Sequence, residues 1–405
     1  AQYSLAGLYR RGRGVEQNDI RAFSLYMSSA EQGNPYASLE LAKMYRDGFG
    51  TEPDLHQAEW RFQNAYSGFV VLEEKSHDDK LQYRIGQMLH TGTGTSKDDE
   101  GAARYWEKSA KLGNINAQYA LGTLWLETGS GDSGQAVEWL TKAANAEHSA
   151  AQYVLGKLYQ DGVYFNKDMD QAMKWFRSAA ELGNEYAAYR MGCLLLLGEK
   201  IPKDVEAAVK WLSLSAEKGN PYAQYRLGML YLKGEVFSPQ VEVAMKWLQQ
   251  AAEQKNEWAF YQLGKLYLSG EHVTKNVETA VHYLGLCAEK GNQYAQYVLG
   301  KLYLCGRDVS RDREKAVEYL TASAEQGNLY ASFLLEHLDA YQDPSLFLAA
   351  TRLLHHLEKL FCEEVQRPME MKRYQIDRKR RRKLLEKKQA QGHHREDQEP
   401  AQGIY

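Results

Sequence analysis

The sequence is poor in cysteine and has no long apolar run. Its 405 residues include four cysteines, Cys193, Cys287, Cys305 and Cys362, which are unevenly spaced and form no CxxC pair. This spacing argues against a disulfide framework or a zinc site and indicates a reducing, cytoplasmic setting. Apolar stretches stay shorter than the roughly 18 residues that a membrane span needs, so we expect no membrane partner.

Motifs that carry chemistry are also missing. The glycine-rich stretch 92–100, GTGTSKDDE, lacks the spacing of a phosphate-binding loop. His355 and His356 are adjacent on a predicted helix and so point to different faces, and His393 and His394 lie in a polar tail. We therefore expect no catalytic residue, no metal, no cofactor and no small-molecule substrate.

What the chain has instead is one pattern, A-x-Y-x-L-G-x-L-Y, repeated along most of its length. Most copies are 36 residues apart, and this regularity predicts a stacked array of equal structural units. The copies begin at Ala1, Ala37, Leu81, Ala117, Ala151, Ala187, Ala223, Ala259, Ala295 and Ala331. Because the first copy opens the sequence, we expect the chain to be part of a longer polypeptide.

Each copy reads as two helices. In the copy at Ala223, apolar residues at Leu227 and Leu230 share one helical face, and Asn220 is placed to cap the helix. Gly228 lies in mid-helix, where glycine is unfavourable, so we expect a neighbouring helix to approach it closely. The cap position is repeated at Asn34, Asn114, His148, Asn184, Asn256, Asn292 and Asn328.

The second helix of each copy carries an aromatic residue at a fixed position. These residues are Trp139, Trp175, Trp211, Trp247, Tyr283 and Tyr319. Their helical register with small partners predicts core packing, and truncating Trp211 to alanine would then cost about 3–5 kcal/mol.

Two spacings depart from the period. The longer step places extra residues near 68–80, where we expect an elongated connection between repeats. The shorter step predicts a tight turn at 126–135. After Ala331 the pattern decays. We predict repeats over 1–340, a capping helix over 341–366 and a basic, partly disordered tail over 367–405.

The repeated unit, with D-x-x-x-A-x-x-W-L-x-x-A-A-E-x-G-N in its second helix, resembles the Sel-1-like repeats, relatives of the tetratricopeptide class, over residues 1 to 340. This resemblance implies an all-α fold, a right-handed αα-superhelix of about nine helix pairs. It also implies a concave surface that binds other proteins, and no catalytic residues.

Positions that vary between copies are the candidates for binding a partner specifically. The fourth and seventh residues of the pattern vary while the structural residues stay constant. The candidate partner-binding residues are Lys157, Arg190, Arg226, Met229, Lys265 and Lys301. The alternative is that these side chains are only solvated.

The tail contains six consecutive cations, Arg378, Lys379, Arg380, Arg381, Arg382 and Lys383. They would surround a helix on all sides, so they predict salt-dependent contact with the phosphates of DNA or RNA rather than packing on the repeats. A solvated tail and an acidic protein partner are the alternatives.

The tail after a repeat array is also similar to the C-terminal ends of certain conjugation relaxases. We therefore consider two functions for a non-catalytic interaction scaffold. The first is the accessory part of a relaxase or mobilisation protein in conjugative DNA transfer. The second is a freestanding adaptor in signalling or secretion, without nucleic acid.

Overall fold

The computed structural model describes residues 1–129, 132–198, 202–234 and 239–338. Within these ranges the secondary structure is nineteen helices and no strand, which confirms the all-α class. The helices are α1 (Gln2–Arg11), α2 (Asp19–Glu31), α3 (Pro35–Asp47), α4 (Leu55–Ser76), α5 (Asp79–Thr91), α6 (Asp99–Lys111), α7 (Ile115–Thr128), α8 (Ser133–Asn145), α9 (Ser149–Asp161), α10 (Met169–Glu181), α11 (Glu185–Leu197), α12 (Val205–Glu217), α13 (Pro221–Lys233), α14 (Val241–Glu253), α15 (Glu257–Ser269), α16 (Val277–Glu289), α17 (Gln293–Cys305), α18 (Arg313–Glu325) and α19 (Leu329–Glu336).

The helices form two compact units. The first runs from Ala1 to Asp204 and contains α1 to α11, and the second begins at Val205 and contains α12 to α19. Within each unit, helices that follow each other in the chain pack together. The first helix of a copy packs on the second helix of that copy, and the second helix packs on the first helix of the next copy. Each helix pair thus buries its apolar face against its neighbours, as expected of a repeat array.

The predicted caps are present. The Asn220 side chain accepts hydrogen bonds from the N–H groups of Tyr222 and Ala223 at 3.0 and 3.1 Å. At the one copy with histidine, His148 Nδ1 accepts from the Ala151 N–H at 3.2 Å. These bonds satisfy N–H groups that a helix start leaves without partners. The same cap is made by Asn34, Asn114, Asn184, Asn256, Asn292 and Asn328.

The mid-helix glycines lie against the second helix of their own copy, as predicted. A Cβ built on Gly156 would be 2.6 Å from the Phe176 ring, and one built on Gly264 would be 2.6 Å from Leu284 Cγ. No real Cβ is found this close to another side chain, so these positions require glycine as packed. The helix-forming cost of glycine is therefore offset by close packing of the pair.

The aromatic stripe packs against the core, as predicted, but it does not form the centre of the core. Trp175 and Trp211 are only half-buried, whereas the next residues, Phe176 and Leu212, are fully buried. The two positions differ by 100° around the helix, and it is the second of them that points at the first helix. A truncation of Trp211 should therefore cost less than a full core truncation.

The extra residues near 68–80 do not form an elongated connection. They extend α4 to 22 residues, and the helix ends at His77, whose backbone is left-handed with φ 48°. Phe69 on the added turns is fully buried and packs edge-on against Tyr36, with ring centroids 4.9 Å apart. The added segment continues the helix because it supplies this buried residue at helical spacing.

A glutamine hydrogen bond that the sequence did not predict joins successive copies. Gln224 Nε2 on α13 donates to the carbonyl oxygen of Ala216 at the end of α12 at 3.1 Å. The Gly219 N–H also donates to this carbonyl, at 2.9 Å, so the amide adds a second hydrogen bond at the helix end. The equivalent bonds run from Gln118 to Ala110, from Gln152 to Ala144 and from Gln296 to Ala288.

The predicted capping helix at 341–366 and the basic tail at 367–405 lie outside the described residues, so they stay predictions. No helix in the described part of the chain is long and apolar enough to cross a membrane.

Candidate protein-binding face

The predicted partner-binding residues all lie on the first helices of their copies. We use the name first-helix face for the third, fourth and seventh residues of the repeated pattern in these helices. In the first unit it comprises Tyr153, Val154 and Lys157 of α9 and Tyr189, Arg190 and Cys193 of α11. In the second unit it comprises Tyr225, Arg226 and Met229 of α13, Tyr261, Gln262 and Lys265 of α15, and Tyr297, Val298 and Lys301 of α17.

The candidates differ in how far they reach solvent. Lys265 is exposed, whereas Lys157, Arg190, Arg226 and Lys301 are half-buried. Met229 is half-buried as well.

Met229 also packs against the hydrophobic core cluster of the second unit. Part of its side chain thus supports the fold, and the variability of this position does not by itself mark a contact. The cations are the better candidates for reading a partner.

Two of the lysines lie over tyrosine rings of their own helix. Lys157 Nζ is 5.8 Å from the centroid of Tyr153, and Lys265 Nζ is 5.7 Å from that of Tyr261. In both cases the pair is four residues apart, on one face of the helix. The ring thus helps to hold the ammonium group in place.

Tyrosines also connect neighbouring first helices, which the sequence reading missed. Tyr261 and Tyr294 have ring centroids 6.3 Å apart, and Tyr297 and Tyr330 have centroids 6.0 Å apart. The first unit repeats the contact between Tyr153 and Tyr186 at 6.2 Å and between Tyr3 and Tyr36 at 6.2 Å. The available signal was a second tyrosine just before the pattern's alanine, 33 residues after the first.

Charge is distributed unequally between first and second helices from residue 149 onward. In the first helices α9, α11, α13, α15 and α17 the basic residues are Lys157, Arg190, Arg226, Lys233, Lys265 and Lys301, and the acidic residues are Asp161, Glu185 and Glu257. These carboxylates lie at helix ends, so the middle turns carry cations alone. In the second helices acidic residues outnumber basic ones.

Burial disfavours the charged form of Tyr225. It raises the pKa of Tyr225 above its ordinary value, because the charged phenolate loses water when it is buried. The ring therefore acts as an apolar surface with a hydroxyl group.

Thiol chemistry is suppressed in the same way. Burial raises the pKa of Cys287 to about 12 and that of Cys305 to about 11. These thiols stay protonated near neutral pH and are poor nucleophiles.

Other kinds of site have little support in the described ranges. They contain no group of three or more His, Cys, Asp or Glu side chains that could hold a metal ion. A shallow depression on α10 is lined by Asp170, Met173, Lys174, Arg177 and Ser178, which are surface residues of a single helix. The predicted nucleic-acid-binding residues, Arg378 to Lys383, lie outside these ranges.

The repeats match a known family. The family model described as "Sel1 repeat" matches nine segments of the chain. These are residues 1–34, 35–60, 80–114, 115–148, 149–184, 185–220, 221–256, 259–292 and 293–328. The residues between the second and third matches, 61–79, include most of the added turns of α4.

Two curated relatives of the chain are described as regulators. The chain is 30% identical over 142 residues to an exopolysaccharide production negative regulator of Rhizobium meliloti (strain 1021), covering 32% of this chain and 50% of the relative. It is 28% identical over 161 residues to chitin synthase regulatory factor 1 of Schizosaccharomyces pombe, covering 38% of this chain and 33% of the relative. The chain thus spans half or less of the length of these relatives.

A solved structure agrees with the fold. The Sel1 repeat protein from Oxalobacter formigenes is 31% identical, with a TM-score of 0.53, and the match covers 74% of this chain and 86% of that one. Sel1 repeat proteins are generally non-catalytic scaffolds that bind other proteins. With nine matched repeats across most of its length, the chain belongs to the Sel1 repeat family.

Proposed function

We propose that this chain binds an extended, acidic segment of a partner protein along the first-helix face of its second unit. The observation that carries the proposal is the pairing of Lys265 with Tyr261 on α15, next to the ring contact between Tyr261 and Tyr294 of α17. This pair offers a held cation beside an aromatic ring. A segment lying across α13, α15 and α17 meets a tyrosine and a cation on each helix.

The charge pattern favours an acidic partner. Counted over whole helices, α13, α15 and α17 carry four basic residues and one acidic residue, whereas α14 and α16 carry one basic residue and four acidic residues. An acidic segment is therefore attracted to one face and repelled by the other. Electrostatic complementarity of this kind increases association rates and selects partners more than it raises affinity. Tyrosine and arginine are also the residues most often found at the centres of protein interfaces.

The test compares a variant that lacks two lysine charges on first helices with a variant that lacks two lysine charges on second helices. A chain with Lys265→Gln and Lys301→Gln is immobilised beside a chain with Lys210→Gln and Lys246→Gln, which removes the same charge from second helices. Proteins of the native host are captured and eluted with increasing salt. We expect the first variant to retain the partner about tenfold more weakly, a loss of about 1.4 kcal/mol, and the control to retain it like the wild type. Equal retention by the two variants would refute the proposal.

The biological setting we favour is that of a regulatory adaptor, because the curated relatives named above are described as regulators. The conjugation-relaxase hypothesis depends on Arg378 to Lys383 and on a tail resemblance alone, so it ranks second. It predicts that the chain retards non-specific DNA at low salt and that replacing these six residues by glutamine abolishes this retardation. Unchanged retardation after the replacement would show that these six residues do not bind the DNA.

A further inference from the structure

One second helix inverts the order of two residues that other copies keep. Counted from the N-cap, the sixth and seventh residues are Lys174 and Trp175 in α10 and Lys246 and Trp247 in α14, a cation followed by an aromatic residue. In α4, counted from its cap Asp54, the same positions hold Trp60 and Arg61. The aromatic residue has moved to the outer position, and the cation has moved to the inner one.

The exposures follow the positions rather than the residue types. The sixth position is exposed in α10 and α14, and Trp60 there is 50% exposed. The seventh position is half-buried in those helices, and Arg61 there is only 8% exposed. An indole ring is thus presented to solvent, and a guanidinium group is placed where the other copies bury part of an aromatic ring.

Arg61 has weak partners for a buried cation. Its Nη2 donates to Met27 Sδ on α2 at 3.0 Å, and its guanidinium carbon lies 4.4 Å from the centroid of the Trp60 ring. Its Nε is buried without an acceptor. Among the residues the structure describes, no carboxylate lies within 4.0 Å of the guanidinium. Within the described part of the chain, the groups that contact this cation are a thioether sulfur and an aromatic face.

Both changes act against folding. An exposed tryptophan does not gain the free energy of burying its apolar surface. A cation that is buried without a carboxylate loses hydration free energy, and weak acceptors do not compensate for this loss. The copies at α10 and α14 show that the same fold accepts the opposite order, in which neither cost arises. The contacts within α2 and α4 therefore do not explain the inverted order by stability. Binding of a ligand that supplies the missing anion would explain it.

We propose that Trp60 and Arg61 form a second binding site, separate from the first-helix face, that takes a carboxylate side chain of a partner protein. The carboxylate pairs with the Arg61 guanidinium, and Trp60 packs over the apolar stem of the same residue. Val71, 51% exposed, lies eleven residues further along α4 and so on nearly the same side of the helix, where it can receive an apolar neighbour. The fitting segment carries an acidic residue with an aliphatic residue some three helical turns away.

The surroundings favour a protein over a nucleic acid. Glu59 precedes Trp60 directly and is exposed, and Glu52 is exposed in the preceding loop. Neighbouring negative charges repel a polyphosphate backbone at each of its phosphates, whereas a single carboxylate is repelled once and pairs with the guanidinium. The site is therefore assigned to a protein carboxylate rather than to a phosphate.

The test restores the order found in the other copies. The double variant Trp60→Lys with Arg61→Trp reproduces the arrangement of α10, and Arg104→Gln, at the sixth position of α6, serves as a control for loss of an exposed cation. The probe is a fluorescein-labelled 16-residue peptide of serine and leucine with a single glutamate, beside the same peptide with glutamine in its place. Inorganic phosphate is the third arm.

We expect the double variant to melt several degrees higher than the wild type and to bind the glutamate peptide at least tenfold more weakly. The Arg104→Gln control should bind it within about twofold of the wild type. The glutamine peptide and phosphate should bind weakly to all three proteins. Trp60→Ala, a surface change that leaves the fold intact, should weaken binding of the glutamate peptide as well.

Four results would overturn the proposal. They are a lower melting temperature for the double variant, equal binding by the double variant and the wild type, no binding of the glutamate peptide by the wild type, or displacement of that peptide by millimolar phosphate. The first would make Arg61 a structural residue, and the last would make the site a general anion site. None of these results concerns Lys265 and Lys301, so the proposal that partners bind the first-helix face is tested separately.

Discussion

Gly228 of α13 packs directly against Leu248 of α14. A Cβ built on the glycine would lie 2.7 Å from Leu248 Cγ and 3.2 Å from the carbonyl oxygen of Ala244. Alanine forms helices better than glycine by about 1 kcal/mol, so in an open position the change would stabilise. Here we expect Gly228→Ala to lower the free energy of unfolding by about 1–3 kcal/mol, because the helix pair must move apart.

The matched control is Gly285→Ala on α16. No atom lies within 4 Å of a Cβ built there, so the same substitution in the same kind of helix should raise the free energy of unfolding by about 0.5–1 kcal/mol. Urea denaturation followed by circular dichroism measures both values. Stabilisation by both variants would show that the close approach at Gly228 is absent.

The buried residue and the half-buried residue of α10 should respond differently to truncation. Phe176 is fully buried against Gly156 and Tyr153, so Phe176→Ala should cost about 3–5 kcal/mol. Trp175 is half-buried, and we expect Trp175→Ala to cost about 2 kcal/mol, since only part of its surface leaves water on folding. If chemical denaturation showed a larger loss of unfolding free energy for Trp175→Ala than for Phe176→Ala, Trp175 would be the main core residue of α10.

His148 should make the first unit sensitive to acid. Its Nδ1 accepts the capping hydrogen bond and its ring stacks on Tyr119 at 4.6 Å, and burial lowers its pKa below the ordinary 6.5. Because the folded state binds this proton less readily than the unfolded state, the stabilising effect is full above pH 6.5. It is lost as the pH falls through the lowered pKa.

Replacing His148 by asparagine, the residue that caps the other first helices, tests this. The His148→Asn variant should match the wild type at pH 8 and exceed it in melting temperature at pH 5. A constant difference between the two proteins across that pH range would contradict the account.

The sequence predicted the features that local rules determine. Asn220 as a cap and Gly228 as a close-contact residue were both predictable from spacing, and the structure confirms each. These assignments depend on one helix or one helix pair. The repeat period then carries them to every copy.

The remaining features depend on neighbours that spacing does not reveal. Trp211 and Leu212 both satisfy the apolar periodicity, and only the position of the facing helix decides that Leu212 is the buried one. The extra residues before His77 extended a helix because Phe69 found a partner in Tyr36, a contact between different helices. The glutamine bonds and the burial of Arg61 likewise depend on contacts between helices, which residue spacing does not reveal.

The central claim is that partners bind the first-helix face, and site-specific photocrosslinking tests it most directly. Benzoylphenylalanine is placed at Lys265 on α15 in one protein and at Lys246 on α14 in another, both exposed positions of the second unit. After irradiation in extracts of the native host, we predict that the partner is captured from position 265 and not from position 246. Capture from position 246 with none from position 265 would contradict the account.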